Sequence, residues 1–104
     1  PYLHTEGLPF YGRGAGWQRQ LHIYMYPLYY IDYCMAQTVA FQFWLAYMKN
    51  KEDAWKRYLA FTDKAGTKTF EEVVSEAGLF LPYEDGGMKK ICESVGNWIK
   101  SHQI

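Results

Sequence analysis

The stretch HIYMYPLYYIDYCMAQTVAFQFWLAYM, His22 to Met48, decides the fold. From Tyr33 to Met48 there are 16 residues without a charge, yet Gln37, Thr38 and Gln42 interrupt them. A bilayer span needs roughly 18 to 20 apolar residues, so the stretch reads as a helix buried in protein rather than in lipid. Pro27 suits a first helical turn, because its fixed φ and missing N–H cost nothing there. The spacing therefore predicts a helix over 27–49, a rod of about 35 Å at ~1.5 Å per residue. Phe41, Trp44, Leu45 and Met48 repeat at helical spacing and are its expected core.

Working outward, each later segment carries its own helix signals. Asn50 offers a cap with Asp53 three positions on, and Trp55, Tyr58, Leu59 and Thr62 share one face of a helix predicted over 51–64, which Gly66 ends. Thr69-Phe70-Glu71-Glu72 is a capping box for a short helix closed by Gly78. After the apolar connector Leu79 to Pro82, Asp85 can cap a last helix in which Met88, Ile91, Cys92, Val95, Trp98 and Ile99 repeat at three and four. No segment alternates with period two for long enough to be a strand. Residues 1–21, with four glycines (Gly7, Gly12, Gly14, Gly16) and two prolines (Pro1, Pro9), read as an irregular lead-in. Their glycines lack the G-x-G-x-x-G spacing of a phosphate cradle and follow no predicted strand. The expectation is an all-α helical bundle over 22–104.

Composition narrows the function classes. A chain of 104 residues makes one domain at most. Eleven basic residues balance eleven acidic ones, so no global field draws in nucleic acid or an anionic membrane, and neither is an expected partner. An aromatic content of 19%, with ten tyrosines and four tryptophans, exceeds what so small a core holds and points to surface facing a ligand or another surface. Cys34 and Cys92 lie in two helical stretches with no C-x-x-C spacing, and are expected to be buried, reduced thiols of a cytoplasmic protein. No basic region followed by an apolar run and a cleavage site marks a signal peptide, and Pro1 follows no Met, which suggests a fragment of something longer.

The chemistry concentrates between Tyr24 and Tyr33, where five of ten residues are tyrosine. With a helix from Pro27, Tyr30 and Tyr33 share a face and Tyr26 sits at its cap, so three phenols can converge, with His22 close upstream. A phenol is neutral at pH 7 and donates one O–H, which suits it to a carbonyl oxygen that gains negative charge in a transition state. The same residues also serve as half-buried packing, ring inward and hydroxyl in water, and composition alone favours that reading. His4 and His102, near the ends, carry no hypothesis.

GWQRQLHIYMYPLYYIDYCMAQTVAFQFW, Gly16 to Trp44, resembles the C-terminal stretch of oligoendopeptidase F-like zinc metallopeptidases, relatives of thimet oligopeptidase. AWKRYLAFTDKAGTKTFEEVVSEAGL, Ala54 to Leu79, resembles the helices that follow it. The resemblance implies the C-terminal portion of an almost wholly helical shell around a deep channel. It implies zinc held by two histidines of an H-E-x-x-H helix and a downstream Glu, none of which is in this chain. It also implies histidine and tyrosine side chains that grip the peptide backbone and stabilise the oxyanion, the tyrosines at a spacing of four then three. Tyr26, Tyr30 and Tyr33 match that spacing, and His22 lies four before Tyr26. The resemblance thus makes Tyr33, Tyr30 and His22 the catalytic candidates and Tyr26 and Tyr29 the substrate-binding ones. Tyr24, Met25 and Pro27 stand where thimet oligopeptidase-like members have a glycine-rich loop.

The expected activity is zinc-dependent hydrolysis of short peptides by a longer protein, the isolated fragment being inactive. Its expected partners are the peptide substrates and the missing upstream part of the same protein, with self-association of the fragment when that part is absent. Two other readings fit the residues: a stand-alone helical module whose tyrosine-rich groove takes a peptide or partner helix without chemistry, and a small helical subunit whose aromatics are buried in an oligomer.

Overall fold

The computed structural model describes residues 4–102, which contain five α-helices and no strand among them. In chain order these are α1 (Leu21–Met25), α2 (Ile31–Lys49), α3 (Lys51–Asp63), α4 (Phe70–Glu76) and α5 (Gly87–Ser101), preceded by two 3-10 turns at Tyr11–Arg13 and Ala15–Arg19. The all-α expectation holds. The chain divides between Tyr33 and Cys34 into two compact units, the boundary falling inside α2.

In the first unit the glycines serve tight geometry. A Cβ on Gly12 would stand 2.9 Å from the Thr5 carbonyl oxygen, and Gly14 has φ 76°, a left-handed conformation that glycine adopts without strain. They let the two 3-10 turns follow each other directly, with Arg19 set 5.9 Å above the ring of Tyr11. The short α1 then begins at Leu21.

The second unit is built on α2, but not with the face the sequence suggested. Its buried residues are Thr38, Val39, Gln42 and Phe43, whereas Phe41 and Met48 are exposed and Trp44 and Leu45 are half-buried. The inward stripe is offset by two positions, with 39, 42 and 43 standing where 41, 44 and 45 were expected, because α2 is apolar on every side and polarity gives no contrast to choose a face by. Val39, Phe43 and Val74 form the core, with Phe61, Phe70, Ala77, Leu79 and Leu81 packed against it. On α3 the face shared by Trp55, Tyr58, Leu59 and Thr62 is the outward one. Ala54 is buried and Arg57, Phe61 and Lys64 follow on its side of the helix, while Trp55, Tyr58 and Leu59 are exposed.

The caps explain the boundaries. The Asn50 side chain accepts from the Asp53 N–H at 3.1 Å and starts α3. Thr69 and Glu72 make the reciprocal capping box of α4, and the N–H and hydroxyl bonds from Thr69 hold the Glu72 carboxyl below its usual range. Helix α4 closes on a left-handed Gly78 (φ 67°), the Leu79 N–H reaching the Val74 carbonyl at 3.1 Å and the Gly78 N–H reaching that of Ser75 at 2.9 Å. Arg57 of α3 donates to the freed carbonyls of Ala77 (3.0 and 2.6 Å) and Gly78 (3.3 Å), a cation where the helix dipole is negative. Helix α5 departs from expectation: its N-cap is Gly86 (φ 77°), not Asp85. A Cβ on Gly87 would lie 3.2 Å from the Leu81 carbonyl oxygen, so the helix starts where its backbone can press on the connector.

The connector is held by one side chain. Gln42, buried on α2, donates to the Phe80 carbonyl at 2.8 Å and accepts from the Phe80 N–H at 2.7 Å. Cys34 and Cys92 are free thiols, but exposed rather than buried, since each falls on an outward face of its helix. No helix among the described residues is long and apolar enough to cross a membrane.

Candidate functional site

The predicted continuous helix from Pro27 does not form, and the difference creates the site. Helix α1 ends at Met25, where the Tyr26 N–H donates to the His22 carbonyl at 3.0 Å. A turn follows: the Tyr29 N–H reaches the Tyr26 carbonyl at 3.2 Å, and the Asp32 N–H reaches that of Tyr29 at 3.1 Å. Leu28, in its middle, has φ 72° and is 91% exposed, the only non-glycine positive φ among the described residues. A leucine in the left-handed region is strained by roughly 1–2 kcal/mol. The turn reverses the chain and sets the start of α2 beside α1.

That reversal gathers four rings. His22 stacks on Tyr30, with centroids 5.1 Å apart and planes inclined by 26°. Its ring also meets Tyr33 edge-on at 5.6 Å and 75°. Tyr33 in turn lies 5.8 Å from both Tyr30 and Tyr29, tilted at 53° to the first and perpendicular, at 89°, to the second. His22 is half-buried, and its Nδ1 is fully buried with no hydrogen-bond partner among the described residues. The three tyrosines remain exposed on their outer sides.

The arrangement brings together His22, Tyr29, Tyr30 and Tyr33. Tyr26 forms none of these ring pairs; it is 59% exposed and is held in the turn through its backbone. Tyr24 stacks instead on Trp17, at 6.3 Å and 21°. Sequence spacing alone did not reveal that Tyr30 would meet His22 face to face. Pro27 is as compatible with the first turn of a helix as with the turn that forms, and nothing in the sequence marks Leu28 as left-handed.

Chemically the cluster is a set of neutral phenol O–H donors backed by an imidazole with an unpaired buried nitrogen. It suits binding a polarised carbonyl or oxyanion. It does not suit a metal. Among the described residues no three His, Cys, Asp or Glu side chains gather to hold an ion, and neither His4 nor His102 joins the ring cluster of the site.

An all-helical chain with this cluster is similar to peptidases of known structure. An oligoendopeptidase F is 39% identical with a TM-score of 0.80, over 91% of this chain and 17% of that one. PZ peptidase A, solved with an inhibitor, is 42% identical with a TM-score of 0.80, over 92% of this chain and 17% of that one. The chain thus spans about a sixth of the length of the structures it matches. No protein-family model matches it, and no curated protein does. The fold is that of part of a larger helical peptidase. More particularly, the chain is oligoendopeptidase F-like.

Proposed function

We propose that this chain acts as the C-terminal part of a zinc-dependent oligoendopeptidase that hydrolyses short peptides, and that it supplies oxyanion-stabilising and substrate-binding side chains. The observation that carries the reading is the packing of Tyr30 and Tyr33 against His22, which sets neutral donors side by side on one exposed surface. Tyr33 and Tyr30, with His22, are the catalytic donors. Tyr26 and Tyr29 grip the peptide backbone beside them. When a scissile carbonyl is attacked, its oxygen gains charge, and phenol O–H groups already held in place stabilise it without reorganising. Zinc, the cofactor, is bound by residues outside this chain.

The partners in this reading are short peptides and the remainder of the same protein, acting in the cytoplasm. Apart from that remainder the chain is inactive. It also self-associates, through apolar side chains left open such as Phe41, Trp55 and Leu59.

The test is cleavage of a quenched short peptide by the longer protein that carries this chain, with and without a zinc chelator. Cleavage abolished by the chelator and restored by zinc supports the reading. Chelator-insensitive cleavage, or none across a varied peptide set, overturns it and leaves a non-catalytic helical module.

A further inference from the structure

A cleft of about 390 Å3 opens in the second unit, framed by the end of α2, the first half of α3, the connector after α4, and α5. Leu45, Leu79 and Ile91 give its lining apolar side chains, beside the polar Gln42 and Ser94. Its wall carries three cations, Lys49, Arg57 and Lys90, against one carboxylate, Asp53, so two positive charges are left over.

Hydrogen bonds hold Arg57 in place before any ligand arrives, and Lys90 leans on an aromatic ring. Arg57 is pinned by its Nε and Nη2, which donate to the carbonyls closing α4, while its Nη1 lies 3.8 Å from Asp53 and makes no hydrogen bond among the described residues. Lys90 holds its ammonium 4.9 Å above the ring of Phe80. Asn50 spends its side-chain oxygen on the Asp53 N–H, which leaves its amide nitrogen as a further donor at the wall.

A guanidinium nitrogen, an ammonium and an amide N–H beside the apolar side chains of Leu45, Leu79 and Ile91 match one kind of ligand: a single negative head on an apolar body. An excess of two charges is too small for a polyphosphate, and Leu45, Leu79 and Ile91 offer phosphate oxygens nothing. We propose that this cleft is a binding site for a small organic monocarboxylate with an apolar body. The site lies wholly within the second unit and rests on none of the peptidase reading.

The probe is 3-phenylpropanoate, titrated into the full chain and followed by amide NMR, with 3-phenylpropanamide and inorganic phosphate as comparators. The expected result is saturable shifts at the Asn50 side-chain amide and at Ser94 with the acid, and much weaker binding of the other two. Lys49→Gln with Lys90→Gln, both exposed and outside the core, should weaken binding roughly five- to tenfold, as two partly screened charges would. Four outcomes overturn the proposal: no saturable shift, equal binding of the neutral amide, equal binding of phosphate, or unchanged affinity in the double variant.

Discussion

The imidazole of His22 lies nearly parallel to the phenol ring of Tyr30, with centroids 5.1 Å apart, and its Nδ1 is buried without a partner among the described residues. A buried nitrogen left unpaired costs roughly 1–3 kcal/mol, a cost that the ring packing around it must carry. Packing and chemistry at this position can be separated. In the longer peptidase, His22→Phe keeps the stack and removes the nitrogens. The expected outcome is a folded protein whose kcat falls roughly 10²–10³-fold, the effect of losing one oxyanion donor. Undiminished turnover in a steady-state assay would reduce His22 to a packing residue.

Tyr33 touches three rings of the cluster and its substitution reads out differently. Tyr33→Phe retains every ring contact and deletes only the O–H. We expect kcat to drop by about 2.7–4 kcal/mol of barrier with KM little changed, because the bond strengthens in the transition state and not in the ground state. Wild-type kcat in that variant removes Tyr33 from the mechanism.

Phe43 and Phe41 test which side of α2 faces inward. Phe43 is buried among Tyr58 and Phe61, with ring centroids 5.4 Å from each, whereas Phe41 is exposed. Phe43→Ala should cost about 3–5 kcal/mol in urea unfolding. Phe41→Ala should cost less than about 1 kcal/mol, as exposed positions do. Equal losses would mean that the core is assigned to the wrong face.

Acid should loosen the turn between α3 and α4. Hydrogen bonds from Lys64 and then Lys68 hold the Glu76 carboxyl down to about 2 from its ordinary 4.5. Between those values the unfolded chain binds a proton that the folded chain refuses, so folding loses stability as pH falls through the window. Above pH 4.5 the contribution is fully present; below about 2 it is gone. Glu76→Gln should flatten that part of the stability-against-pH curve measured by urea unfolding, and a curve superimposable on wild type would dismiss the clasp.

What the sequence made legible were features written in local residue chemistry. The Asn50 cap, the Thr69–Glu72 capping box and the Gly78 stop announce themselves by residue type and spacing, and α3 and α4 lie where those signals put them. The family resemblance was equally plain, since it rests on long blocks. The hidden features were those that only packing decides. Helix α2 gives no polarity contrast, so its face could not be read, and Gln42 points inward against every hydropathy rule because its partner lies 38 positions away. Leu28 takes a backbone conformation that leucine disfavours, and so the reversal that places Tyr30 on His22 was invisible.

The Gln42 side chain has a consequence of its own. By giving one N–H and taking another from the same residue, its amide imitates a neighbouring peptide group and forms a single rung of sheet in a chain that otherwise has none among its described residues. Such a rung recognises backbone and is blind to the side chain it holds. For this rung alone, position 80 need supply only a backbone N–H and carbonyl, which proline could not, while position 42 needs an amide at glutamine's reach.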